Sequence, residues 1–343
     1  MQNKLLSFVL LQFAVLTASI AQADDYQLGQ GWRAGNYYFS GYVNAEVVDR
    51  FGSPMRLDLD DLSAFAGGKI NQWINPFLEV ELSGHTLVRQ GGGARNGDLI
   101  VERFYNDVLF SERDTLRIGK ILTPLGDWNV VHAAPLVPII TRPYTAVRGF
   151  AGYMSGINWI HEEEQGLISD VQLYLQPGDE LFKRPVTQTI RNFHNVIGGQ
   201  VNKSWSMKDR LGLSFQHGTL IESGESYILL GINAAQSFGK LKLEGEAISA
   251  KFSGMSPRAH DTEEGIFVLA DYAVTSQWHG IAEVEYYQDH TVAPSSRSTL
   301  LAVNYKPSDV PVVWKLEYIH QAGMPSPIAN VRTGVKGSLS FFF

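Results

Sequence analysis

Residues 77–83 read Phe77-Leu78-Glu79-Val80-Glu81-Leu82-Ser83. Leu78, Val80 and Leu82 share one side of an extended chain and Glu79, Glu81 and Ser83 the other, because successive side chains of a strand point to opposite faces. The same split recurs at Leu241/Leu243 against Lys242/Glu244/Glu246 and at Ala282/Val284/Tyr286 against Glu283/Glu285/Tyr287. It appears again at Trp314/Leu316/Tyr318 against Lys315/Glu317. Followed outward from 77–83, the period of two predicts strands near 37–48, 62–72, 77–87, 99–110, 115–122, 152–160, 167–176 and 194–202. Eight more follow near 209–218, 226–236, 240–250, 265–274, 278–288, 298–305, 311–320 and 332–343. In 99–110 the alternation allows either Arg103/Asp107 or Glu102/Asn106 on the inner side.

The connections alternate as well. Those after even-numbered strands are short, such as Trp73-Ile74-Asn75-Pro76, Ser111-Glu112-Arg113-Asp114, Ser237-Phe238-Gly239 and Thr275-Ser276-Gln277. Those after odd-numbered strands tend to be long: 88–98, 123–151, 177–193, 251–264 and 321–331. Strands of about 9–11 residues tilted by about 45° are what a bilayer requires. Aromatic residues gather at strand ends, among them Tyr37, Trp73, Phe110, Trp205, Phe238, Trp278 and Trp314, as an interfacial girdle does. A soluble sandwich also alternates, but it does not carry Lys, Glu and Arg on the second face of nearly every strand. The sequence therefore predicts an all-β, closed antiparallel transmembrane barrel of about 16 strands, in which closure pairs every backbone N–H and C=O.

Composition agrees. The chain has 343 residues, 44% hydrophobic, 11% aromatic and 18% charged, too apolar for a disordered protein. The absence of Cys excludes disulfide frameworks, thiolate metal sites and cysteine nucleophiles. A net charge of −7 points away from a nucleic-acid partner. Met1 to Ala23 reads as a secretory signal, with Lys4, an apolar run over Leu5–Ile20 and an Ala21-Gln22-Ala23 cleavage site. A single barrel domain over 24–343 is expected to follow. The nine His stand singly, none at ligand spacing, and no cofactor or metal is expected. Asp58, Asp60 and Asp61 are assigned to the first external loop, as a hydrated turn or as holders of a divalent cation with lipid phosphates.

Residues Thr333 to Phe343 alternate and end on Phe341 and Phe343, and resemble the C-terminal insertion signal of bacterial outer-membrane proteins. Over its full length the mature chain resembles a bacterial outer-membrane porin. Leu116-Arg117-Ile118-Gly119-Lys120, followed by Thr123-Pro124-Leu125-Gly126, is similar to the strand entering the third loop of phosphate-selective-type porins. The resemblance implies passive diffusion of small hydrophilic solutes or ions across the outer membrane of a Gram-negative envelope. It implies a homotrimer, contacts with outer-membrane lipid and lipopolysaccharide, recognition by barrel-assembly machinery, and a third loop folded into the lumen. The rival classes are an adhesin or structural barrel acting through its external loops, and a barrel-embedded hydrolase around His217 or His279.

The residues themselves also speak for an inserted third loop. Pro124, Pro135, Pro138 and Pro143 exclude a continuous helix or ladder strand. Val130, Val131, Ala133, Ala134, Leu136, Val137, Ile139 and Ile140 need something to pack against, and the barrel wall is available. By parity the inward residues include Lys69, Glu79, Glu81, Arg210, Lys242, Glu244, Glu283, Glu285, Lys315, Glu317, Arg332 and Lys336, with Glu46 and Glu246. Asp127, Arg142 and Arg148, with Arg117 at the loop's root, are the expected constriction. A loop with one acid and two arginines leans weakly toward anions or neutral solutes. Phosphate is not assigned, since scattered cations among as many acids make no ladder of the kind phosphate favours.

Overall fold

The computed structural model describes residues 25–27, 30–163, 166–184, 191–323 and 333–343. A short ribbon, β1 (Asp25–Gln27) and β2 (Gly31–Ala34), precedes sixteen longer strands. These are β3 (Tyr37–Arg50), β4 (Arg56–Gly68), β5 (Pro76–Arg89), β6 (Asp98–Leu109), β7 (Asp114–Leu122), β8 (Tyr153–Glu162), β9 (Asp170–Asp179) and β10 (Phe193–Ser204). The second half is β11 (Arg210–Leu220), β12 (Ser226–Phe238), β13 (Leu241–Ser253), β14 (Thr262–Ala273), β15 (Trp278–Gln288), β16 (Ser296–Tyr305), β17 (Val312–Ala322) and β18 (Gly334–Phe342). Tyr144–Ala146 forms the one helical turn among the described residues. The signal reading of Met1 to Ala23 and the position of Arg332 lie outside the described residues.

From β3 on, each strand pairs antiparallel with the next, and β18 returns to β3 in a register running from Gly334↔Arg50 to Phe342↔Tyr42. Gly41 and Phe343 then exchange backbone hydrogen bonds of 3.2 and 3.0 Å. Below that point β2 takes over the pairing, with Trp32 opposite Phe39. The barrel is therefore sealed along its whole seam. All sixteen expected strands are present, most within three residues of their expected ends.

The period of two sets the faces. On β12, Ile228, Leu230 and Ile232 are exposed outward, whereas Tyr227, Leu229, Asn233 and Ala235 are buried inside. Trp73, Phe110, Trp205, Phe238, Trp278 and Trp314 are exposed at the end of the short connections. Trp73 meets Phe110 edge-on at 6.3 Å, and Trp278 leans on Tyr305 at 4.6 Å.

One strand departs from expectation. The second barrel strand, β4, begins at Arg56 rather than near 62, so Asp58, Asp60 and Asp61 lie on the barrel wall and not in the first external loop. Lys69, expected to line the pore, falls in the exposed turn after β4, where its N–H bonds the Asn36 carbonyl at 2.9 Å. An acidic run reads as loop only if strands avoid charge, and a wet inner face does not. The register adds a bulge here: Asn44 pairs Asp61 and Ala45 pairs Leu59, which leaves Asp60 as the extra residue. A second bulge, between Glu79↔Arg103 and Val80↔Val101, makes Glu102 the extra residue on β6. It resolves the ambiguity in 99–110 by turning Glu102 inward together with Arg103 and Asp107, while Asn106 bonds the 69–75 turn.

Ile232 sits at the centre of β12 on the outer face. Ile232→Arg is expected to lower barrel stability in lipid vesicles by about 2–4 kcal/mol, read from urea unfolding followed by Trp fluorescence.

Candidate functional site

The 30 residues between β7 and β8, 123–152, lie against the inner face of the barrel. A chain segment there must find partners for its amides, and the wall supplies carboxylates. Glu246 of β13 accepts from the Asp127 and Trp128 N–H groups at 2.5 and 2.9 Å. Glu317 of β17 accepts from Ile140 and Thr141 at 2.8 and 3.0 Å, and Glu285 of β15 from the Thr145 N–H and hydroxyl at 2.9 and 3.0 Å. Lys315 donates to the Ala134 carbonyl at 2.6 Å, Asn304 to that of Pro138 at 2.6 Å, and the Ala151 N–H to Gln216 at 2.7 Å. Gly126 carries φ +65° where a Cβ would run into the Glu246 carboxylate, so the turn that opens the segment requires glycine.

Apolar packing follows the same path. Val137, Ile139, Ala146 and Trp128 join Phe267, Leu269, Ile281, Leu300, Ala302 and Ile319 in one buried cluster. Leu125, Phe150 and Ala151 join a second with Leu229, Ile248, Ala250 and Phe252. The inner face of β12–β17 is thus not uniformly polar, because half of it is a dry interface for the segment. Val130, Val131 and Leu136 stay exposed.

The four expected constriction residues do not form one ring. Arg117 makes a two-pronged pair with Asp107 at 2.7 and 2.8 Å and lies 4.1 Å over the Tyr105 ring, near the 110–113 turn. Arg148 is at the opposite end. It is buried, 2.7 Å from Asp289 and 3.9 Å from Glu263, and these acids also hold Arg191 at 2.9 and 2.8 Å. With its charge spent on two carboxylates out of water, Arg148 does not face the pore, contrary to expectation. Asp127 pairs with Arg210 of β11 at 2.8 Å. Arg142 donates to the Trp128 carbonyl, and its Nε has no hydrogen-bond partner. Beside it, burial and the Arg142 charge hold the His132 imidazole down to about 3, so the ring is neutral at ordinary pH.

The expected lining divides in the same way. Glu285, Glu317 and Lys315 are covered by the segment rather than open to water, and Glu283 is buried on β15. Lys242 pairs with Glu244, and Lys336 with Glu46 at 3.7 Å. Glu79 accepts from Ser63 at 2.7 Å and Arg103 at 2.5 Å, and Glu81 from the Tyr42 hydroxyl at 3.4 Å. The wall of β3–β6 therefore gathers Glu46, Asp58, Asp60, Asp61, Glu79, Glu81 and Glu102. Sequence reasoning placed Asp58, Asp60 and Asp61 in a loop, left Glu102 as one of two alternatives, and missed Arg184, which pairs with Glu102. The only available signal was the density of acids in 58–61.

No family model matches the chain. An uncharacterised protein of Aquifex aeolicus (strain VF5) is 34% identical over 124 residues, which are 36% of this chain and 27% of that protein, so the chain spans about a quarter of its relative's length. Among solved structures the chain is similar to OmpT of Vibrio cholerae in a trimer form, at 13% identity over 90% of this chain and 99% of that one, with a TM-score of 0.63. It is similar to OmpF of Salmonella typhi in complex with daunomycin, at 11% identity over 90% and 98%, TM-score 0.62. It is also similar to the outer membrane channel DcaP of Acinetobacter baumannii, at 11% identity over 92% and 100%, TM-score 0.60. At such identities the likeness is one of fold: a closed antiparallel β-barrel like those of these outer-membrane proteins.

Two outcomes follow from these contacts. Glu246→Ala leaves the Asp127 and Trp128 amides without their acceptor, and their hydrogen-exchange protection is expected to fall by about 2 kcal/mol, roughly 30-fold. Arg148→Met leaves buried carboxylates short of a partner and is expected to cost about 3–5 kcal/mol in urea unfolding, with ion selectivity unchanged.

Proposed function

We propose that this chain, built on the barrel of bacterial outer-membrane proteins, is a porin: a water-filled channel through which small hydrophilic solutes and ions diffuse passively across the outer membrane. The observation that carries the reading is the two-sided interior. Part of the inner wall is packed dry by the 123–152 segment, while charged side chains elsewhere on it keep contact with water. Arg103, Arg117, Arg210 and Lys242 keep about 28–35% of their side-chain surface in water along the barrel interior. A barrel serving only as a scaffold for external loops has no use for such a lining.

The expectation from the loop alone is a weak preference for anions. With Arg148 and Arg117 held in ion pairs, and Asp61 of the acidic β3–β6 wall close enough for its field to reach Arg142, our reading shifts to a weak preference for cations. Selection by sign follows the charge that dominates the narrowest part. A phosphate preference has no support, since the arginines do not line up. The trimer form of the Vibrio cholerae structure supports reading this protein as a homotrimer.

The protein is read as a channel and not as an enzyme. Glu263, Asp289 and His290 form the one group among the described residues whose ligand atoms lie close enough together to hold a metal ion. Both carboxylates bind Arg148 and Arg191, and the imidazole stacks on Phe252 at 3.8 Å while bonding Glu263 at 2.6 Å. That arrangement supports a lock between outer connections.

Purified protein in planar bilayers is expected to give discrete, ohmic conductance steps that grow with salt, and a reversal potential of the cation-preferring sign in a KCl gradient. Silent bilayers in the presence of folded barrel would rule the channel out; the opposite sign would rule out only the cation reading.

A further inference from the structure

The start of the connection from β9 to β10 is a second piece of chain that turns inward. Its first residues, 180–184, are held at three points on β7 and β8. The Leu181 N–H donates to Ser155 Oγ at 2.8 Å, and Lys120 Nζ donates to the Phe182 carbonyl at 2.8 Å while pairing with Glu180 at 2.7 Å. Lys120 is fully buried and follows Gly119, whose φ of +140° is one that residues with a side chain rarely adopt. Phe182 adopts φ +51°, in the left-handed region that few residues other than glycine enter.

A segment pinned so closely leaves its next side chain little choice. Arg184 lies with its guanidinium 4.4 Å from the Tyr153 ring centre and pairs with Glu102, the residue that the β6 bulge adds to the inner face. The planar group is held by a ring face and a carboxylate together, which a flexible ammonium would not reproduce. Glu81, Asp61 and Glu79 are the carboxylates whose fields reach it, offsetting in part the burial that lowers its proton affinity. Its side chain keeps 13% of its surface exposed, whereas Glu102 is sealed.

We propose that Arg184, at the start of the connection between β9 and β10, holds back cation selectivity in the channel alongside Arg142 of the long 123–152 segment. The proposal rests on the channel reading above. Arg117 and Arg148 are each neutralised by their own acids at the two ends of the barrel. Arg184 joins Arg103 and Arg142 as a cation set among the acids of β4–β6. Its removal takes one positive charge out of the field of Asp61, Glu79 and Glu81.

The test compares wild-type protein with Arg184→Gln, Arg184→Glu and Arg184→Lys in planar bilayers, with KCl as the probe. Arg184→Gln is expected to raise the K⁺/Cl⁻ permeability ratio at least about twofold and Arg184→Glu further, while Arg184→Lys stays near wild type. Lys120→Met, which unpins the same segment without touching Arg184, is expected to shift the ratio in the same direction and serves if Arg184→Gln does not fold. Channels of Arg184→Gln, or of Lys120→Met in its place, with the wild-type reversal potential would overturn the role of Arg184 while leaving the porin reading intact. A wild-type barrel without conductance would overturn both.

Discussion

Hydrocarbon offers nothing to an unpaired amide, and this one constraint shapes the whole molecule. Sixteen strands satisfy it only because β18 finds β3, and because β2 continues the pairing of β3 where β18 stops. Once the ladders are closed, the outer face needs only to be apolar, and the chain fills it with Leu, Ile, Val and rings at the short-connection end. All chemical individuality is left to the inside.

Inside, the same constraint returns in another form. The 123–152 segment carries amides that neither helix nor sheet pairs, and three wall glutamates accept them. Glu246, Glu285 and Glu317 are therefore structural groups, although each reads as a pore-lining charge. Arg148, Arg191, Asp289 and Glu263 similarly join the 123–152 segment, the connection after β9, β14 and the connection after β15. The charge a solute meets is what remains after this internal pairing. That remainder differs from the formal charge of the inward residues.

The number of strands, their order and the direction each face points were legible because period two is a local property. Three kinds of feature were not. β4 began six residues early because Asp58, Asp60 and Asp61 resemble a turn until one knows that the inner face is wet. Bulges at Asp60 and Glu102 leave no mark in the hydrophobic pattern, yet each turns one more carboxylate inward. The fate of individual charges was the least visible: Arg148 meets an acid 141 positions away, and Arg184 owes its orientation to β6, β7 and β8. Side-chain type predicts that such a group will be paired, but only the register decides with whom.

The separation along the chain between the 123–152 segment and its acceptors also bears on how the molecule forms. Asp127 waits for Glu246, and Ile140 for a glutamate 177 positions downstream. Contacts this distant are slow to form, since loop closure must be met before they contribute. Nearest-neighbour hairpins can zip in sequence, but the dry interior cannot assemble until β17 is in position. Completion of the packed interior is therefore tied to one of the last strands to join, because the Ile140 and Thr141 amides have their acceptor on β17.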